Sequence, residues 1–250
     1  MRQNDRWPAS LLIVRHGESA GNVARNLAEA NGHPLIDIAQ RDMDVPLSAL
    51  GERQSHALGL WVASLGRRAP SVVLTSPYVR AADTASIALT AAGLDLPLVL
   101  DERLREREFG VLDRLTKAGI QARYPEQVEA RSRIGKFYHR PPGGESWCDV
   151  ALRVRSVLDS VTREHSGQRV MIVAHQVVIM MFRYVIERLS EADVLRISRE
   201  VDLANCSVTS FKVDRRSPHG MTLERFNEVF PLEAAAAPVT REPDVPLAPR

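Results

Sequence analysis

The chain alternates between short, continuously apolar runs and longer segments whose apolar positions recur every three or four residues. Residues 11–14, 72–75, 97–100 and 170–174 are runs of the first kind, the pattern of strands buried on both faces. Between them the spacing predicts helices. Ser19 caps one from about Ala20 to Ala30, ending at Asn31-Gly32. Ser48 precedes a second, in which Leu50, Ala57, Leu58, Trp61, Val62 and Leu65 share a face before Gly66. Ser76-Pro77 reads as the cap and first residue of a third, running to Gly93. Ser146 caps a long amphipathic helix with the stripe Trp147, Val150, Val154, Val157, Leu158 and Val161, and an apolar helix follows His175. Residues 207–213 and 221–226 read as a hairpin around Pro218-His219-Gly220.

Strands alternating with helices predict an α/β fold: a three-layer αβα sandwich on a mainly parallel sheet, with an antiparallel edge strand from the hairpin. Periodicity weakens over about residues 102–144, where charges accumulate around Tyr124-Pro125. That stretch reads as an inserted, partly helical lid. One domain is expected over residues 1–231, followed by an Ala/Pro-rich mobile tail over residues 232–250.

Composition removes function classes more than it adds them. With 44% hydrophobic and 26% charged residues, the 250-residue chain reads as an ordinary globular protein with a sizeable core. A net charge of +2 does not suggest a nucleic-acid or membrane surface. Cys148 and Cys206 have no metal-type spacing and make no disulfide framework, so a reduced, cytoplasmic setting is expected. The first apolar run is too short for a signal peptide, and the apolar stretch over residues 170–182 is broken by His175-Gln176 and too short to span a bilayer.

The chemistry collects at the carboxyl ends of the predicted strands, where ligands bind in open α/β sheets. Arg15-His16 follows the first strand, Arg80 the second and His175 the fourth, with Glu106 a few residues past the third. Two cations, two imidazoles and a carboxylate suit phosphoryl transfer to a protein nucleophile. Each Arg can grip phosphoryl oxygens in bidentate fashion. The amides behind Ser19 add donors. A neutral imidazole can attack phosphorus, and a carboxylic acid must protonate the leaving alkoxide and then activate water. Taken singly, each residue has an ordinary structural explanation: a hydrogen-bonded His, a solvated Arg, a helix cap at His175. The residues by themselves support a phosphate-binding α/β enzyme and go no further.

LIVRHGESAGN, DVPLSALGERQ, VVLTSPYVRAADTA, LREREFG, PPGGESWCDV, VMIVAHQ and NCSVT, in that order over roughly residues 11–230, resemble the histidine phosphatase superfamily, the phosphoglycerate mutase-like proteins. The resemblance implies that His16 is the nucleophile, that Arg15, Arg80 and His175 complete a phosphate pocket, and that Asn22 and Ser19 add contacts. It implies Glu106 as the proton donor, four residues before Gly110, with Glu108 off that register, and it places Gln176 toward the substrate.

The lid resembles fructose-2,6-bisphosphatase domains in Thr116, Tyr124-Pro125, Arg131, Lys136, Arg140 and the run Pro142-Gly143-Gly144-Glu145-Ser146. That likeness implies Arg131, Lys136 and Arg140 as substrate contacts, with a solvated lid as the alternative. It departs at Lys117, where those domains place a substrate-binding Tyr, and at Met180, where they place an Arg.

The function expected is therefore a metal-independent phosphomonoesterase for a small phosphorylated metabolite, without cofactor. Two alternatives stay open: phosphoryl transfer of the phosphoglycerate mutase type, and a non-catalytic module that binds phosphorylated ligands. The expected partner is a small phosphorylated molecule, not nucleic acid or membrane. A homodimer is compatible with the sequence.

Overall fold

The computed structural model describes residues 6–214 and 220–241. Six strands form one sheet: β1 (Ser10–Arg15), β2 (Val72–Thr75), β3 (Leu98–Leu100), β4 (Arg169–Ala174), β5 (Val208–Val213) and β6 (Met221–Glu228), in the order β3-β2-β4-β1-β5-β6. β1, β2, β3 and β4 pair in parallel. β5 runs antiparallel to both β1 and β6. The strand of opposite direction is therefore inside the sheet, and β6 forms the edge. The turn residues Pro218-His219 lie outside the described residues.

The apolar runs of β1, β2 and β4 are buried because helices cover both faces, whereas β3, expected to be buried as well, is an edge strand with Val99 and Leu100 exposed. On one side Leu11, Ile13 and Ile172 pack with α6 (Trp147–Glu164) and α7 (Gln176–Ile186). On the other, Val14, Val73 and Val173 pack with α2 (Ala49–Ser64) and α3 (Val79–Ala92). The caps follow the sequence: Ser19 and Asn22 close a capping box on α1 (Ala20–Ala30), Ser48 accepts from the Gly51 amide at the start of α2, and Ser146 with Asp149 boxes α6. Gly93, at φ 65°, ends α3 in the left-handed conformation that glycine takes without strain.

Two expectations change. α3 begins at Val79, not at Pro77, because the Ser76 hydroxyl accepts from the Tyr78 amide at 3.2 Å and pairs with His175 instead of capping the helix. The tail does not begin at Leu232. α9 (Phe230–Ala234) packs on α2 through an edge contact of Phe230 with Trp61, 5.1 Å between ring centres. Beyond it Gln54 donates to Pro238 O at 2.9 Å, and Thr240 Oγ1 donates to Asn205 Oδ1 at 3.0 Å. Residues 242–250 lie outside the described residues.

The lid contains α4 (Lys117–Arg123) and α5 (Pro125–Ile134), with a small core of Leu112, Leu115 and Ile120. α8 (Glu191–Glu200), capped by Ser190, follows α7. Among the described residues no helix is long and apolar enough to cross a membrane.

Candidate active site

Sheet register brings the first residues of the site together. Arg15 on β1 pairs with Ala174 on β4, and Thr75 on β2 pairs with Val173. One step further the ladder continues, with His16 N donating to Ala174 O and Ser76 N to Val173 O, both at 3.0 Å. His16, Ser76 and His175 therefore leave three neighbouring strands at one level. The two imidazoles lie 5.1 Å apart, centre to centre.

Each ring is held from behind. His16 Nδ1 lies 2.7 Å from Gly17 O. A carbonyl can only accept, so Nδ1 carries the hydrogen and Nε2 keeps its lone pair. His175 Nε2 lies 2.8 Å from Ser76 Oγ, while its Nδ1 is buried without a hydrogen-bond partner. His175 stands at the N-cap of α7 but makes no side-chain capping bond; its ring meets Ser76 and the His16 ring, fully buried behind the residues that line the pocket. Burial pulls both imidazoles well below the ordinary histidine pKa, and the charges of Arg80 and Arg15 lower them further.

The turn that carries His16 is clamped. Gly17 N donates to Thr84 Oγ1 at 3.0 Å, Glu18 N to Gln54 Oε1 at 2.9 Å, and Asn205 Nδ2 to His16 O at 3.1 Å. Gly51 of α2 lies against the same turn, and a Cβ there would stand 1.9 Å from Glu18 O. Because the obstacle is backbone, Gly51→Ala is expected to cost about 1–3 kcal/mol by overpacking. It should lower the melting temperature by several degrees and displace His16 with loss of activity, as thermal unfolding and a rate assay of the same sample would show.

One pocket is lined by Arg15, His16, Ser19, Asn22, Arg80, Glu106, Arg131 and Gln176, all anticipated from sequence. Asn22 Oδ1 accepts from Ser19 N at 2.8 Å and from Asn205 Nδ2 at 3.4 Å, so its amide nitrogen is the end available to a ligand. Arg15 is anchored on Leu203 O, and Arg80 lies 5.1 Å from the centre of the Tyr78 ring. Arg80 also bonds Asp42, through the Asp42 carbonyl and, at 3.1 Å, its carboxylate.

Glu106 lines the pocket, whereas Glu108 is exposed and outside the lining set. Burial raises the Glu106 pKa, opposed by the Arg107 amide and the Arg80 charge and supported by Asp42. Glu106 is open on its pocket side and enclosed by protein elsewhere. Its chain segment is held by Arg153, which donates to Arg103 O, Arg105 O and Glu106 O at 2.7, 2.8 and 3.3 Å and pairs with Glu145 at 2.9 Å.

Two sequence candidates are elsewhere. Lys136 donates to Ser198 Oγ at 3.1 Å and sits 4.5 Å over the Trp147 ring, and Arg140 is an exposed partner of Asp149. Phe137, 2% exposed, is anchored in the main core beside Tyr184, so Lys136 reaches Ser198 and Trp147, and Arg140 reaches Asp149, neither of them lining the pocket. Conversely, sequence reasoning did not select Asp42, Arg25, Arg107 or Arg114, all of which line the pocket. Nor did it single out Ser76, Thr84 or Asn205, which orient the histidines, although TSP, RAADTA and NCSVT flagged their neighbourhoods. Among the described residues no three His, Cys, Asp or Glu side chains are grouped to hold a metal ion.

With this geometry in view, the comparisons with known proteins are consistent with one another. The chain is 34% identical over 167 residues to a probable phosphoglycerate mutase of Yersinia enterocolitica, covering 66% of this chain and 68% of that one. It is 32% identical over 207 residues to a 2,3-bisphosphoglycerate-dependent phosphoglycerate mutase of Gloeobacter violaceus, covering 82% and 85%. A mycobacterial glucosyl-3-phosphoglycerate phosphatase superposes with a TM-score of 0.66 at 25% identity, over 88% of this chain and 98% of that one. A putative alpha-ribazole-5'-P phosphatase of Escherichia coli shares the fold at 19% identity, with a TM-score of 0.70 over 89% and 97%. The model of the histidine phosphatase superfamily, branch 1, matches residues 11–228. Sheet, histidine pair and family match agree: this chain is an enzyme of the histidine phosphatase superfamily, branch 1.

Proposed function

We propose that the protein is a metal-independent phosphomonoesterase that hydrolyses a small phosphorylated metabolite through a phosphohistidine on His16. The observation that carries this reading is the His16 Nδ1–Gly17 O bond of 2.7 Å, which presents Nε2 as a nucleophile in a pocket shared with Arg15, Arg80 and Glu106. In the first step Nε2 bonds to phosphorus, the ester P–O bond breaks, and the Glu106 carboxyl gives its proton to the leaving alkoxide. In the second, water attacks phosphorus, its proton passes to the Glu106 carboxylate, and the N–P bond breaks. Arg15 and Arg80 balance the charge spread over the phosphoryl oxygens. The Ser76 hydroxyl already accepts from the Tyr78 amide. Assigning the Ser76 hydrogen to His175 Nε2 puts the ring hydrogen on the unpartnered Nδ1, the donor this reading directs at a phosphoryl oxygen.

The two displaced pKa values set the pH dependence. His16 attacks only when neutral, so activity is lost as pH falls through its depressed pKa, below the ordinary 6.5. Glu106 donates only when protonated, so activity is lost as pH rises through its raised pKa, above the ordinary 4.5. Glu106→Gln is expected to remove the alkaline limb of kcat/KM and to slow alkyl phosphates by about 10²–10⁴-fold. With 4-nitrophenyl phosphate, whose leaving group needs no proton, the variant gives a burst of nitrophenolate and retains phosphate on His16. An unchanged pH profile would remove Glu106 from this role.

A second reading, mutase-type transfer, draws on the names of relatives at 32–34% identity. The phosphatase reading draws on the glucosyl-3-phosphoglycerate phosphatase neighbour. Supplying 3-phosphoglycerate with and without 2,3-bisphosphoglycerate separates the two: free phosphate supports hydrolysis, and 2-phosphoglycerate supports transfer.

A further inference from the structure

Beyond the phosphate clamp, the pocket is closed by two segments that are far apart in sequence. Residues 33–40 are stitched to the lid: Ile36 N donates to Arg114 O at 2.9 Å, Thr116 N to Pro34 O at 3.1 Å, and Thr116 Oγ1 to His33 O at 2.7 Å. Gly119 makes the approach sterically feasible, since a Cβ there would stand 1.9 Å from Pro34 O. These bonds consume backbone polar groups of both segments within the seam, and the cavity receives side chains. Ile36 and Ile38 line it from the first segment, Phe109, Leu112 and Leu115 from the other, and Val45 lines it as well. Ile36, Ile38 and Phe109 are only half-buried, so a ligand that covers them removes apolar surface from water.

Cations flank this wall as well. Arg114 donates to Gln40 O at 2.8 Å, and Arg107 donates to Glu145 O at 2.7 Å while lying 5.1 Å over the Phe109 ring. Arg25, Arg131 and Lys117 line the same pocket, with the acids Glu29 and Asp113. Lys136, bonded to Ser198, and Arg140, paired with Asp149, do not line it. The cavity is ≈ 170 Å³, smaller than the few hundred Å³ of a drug-sized site.

We infer that the preferred substrate is a monophosphate ester whose alcohol carries a compact apolar body. This rests on the phosphatase reading above and names the substrate class of the same site.

The test is a series of n-alkyl phosphates from ethyl to pentyl, whose leaving alcohols differ little in acidity. kcat/KM is expected to rise roughly two- to fourfold per methylene, the scale of burying a CH₂ group. Ile38→Asn, checked for its fold by circular dichroism, should flatten the slope. A flat or falling series with measurable turnover, or a slope retained in Ile38→Asn, would overturn the inference while leaving the phosphatase reading in place. Phosphate release from none of the esters would overturn the phosphatase reading, and the inference with it.

Discussion

Replacing His16 by alanine is expected to abolish phosphate release and, with it, the acid-labile phosphate that the proposed mechanism places on the wild-type enzyme. The expected loss is about 10⁴-fold or more, because removing the nucleophile of a covalent mechanism eliminates both of its steps. Little else should change. The turn around His16 is held by its backbone and by Thr84, Gln54 and Asn205, none of which bonds the imidazole. Among the described residues the imidazole bonds the adjacent Gly17 carbonyl in its own turn. Quenched-flow phosphorylation with ³²P-labelled substrate, run beside a circular dichroism check, measures the effect. Undiminished turnover in a clean preparation of the variant would refute the phosphohistidine.

The second large effect is expected at Arg80. This residue is 5% exposed, lies against Tyr78 and lines the pocket with His16 and Glu106, where its charge lowers the His16 pKa and opposes the rise at Glu106. Losing one such donor costs on the order of 3 kcal/mol of transition-state stabilisation, about a hundredfold or more in rate. Arg80→Ala should lower kcat and kcat/KM together, the signature of an interaction made in the transition state, whereas uniform binding would raise KM alone. Arg80→Lys should restore little, since an ammonium cannot span two phosphoryl oxygens. The Arg80 carbonyl still accepts from Thr84 Oγ1 at 2.7 Å in either variant, so α3 keeps that contact. A wild-type kcat in folded Arg80→Ala would remove the residue from the reaction. The same experiment bears on Asp42, whose carboxylate bonds Arg80 at 3.1 Å and stands where a phosphoryl oxygen competes for the same guanidinium.

Local order was legible because its causes are local. An apolar run followed by a capping box is enough to predict β1, the turn and α1, and the same logic places α2 and α6 at Ser48 and Ser146. The exception at Ser76 is instructive. Ser-Pro is a good helix start in isolation, yet its hydroxyl faces His175, 99 residues later, and that partner takes it from the helix. The tail misled for a similar reason. Ala/Pro-rich sequence has no periodicity of its own, and what orders residues 237–241 is hydrogen bonding to Gln54 and Asn205.

By itself the sequence determined which chemistry is present: a histidine after one strand, a second after another, two arginines and a glutamate. Parallel strands bring their carboxyl ends to one rim whatever the details of the loops. Only the tertiary structure decided what surrounds that chemistry. Ser198 and Asp149 hold Lys136 and Arg140 outside the pocket lining, and a seam between residues 33–40 and the lid sets apolar residues along it. Those outcomes depend on which distant segments compete for the same buried space, and no local pattern of residues records the result of that competition.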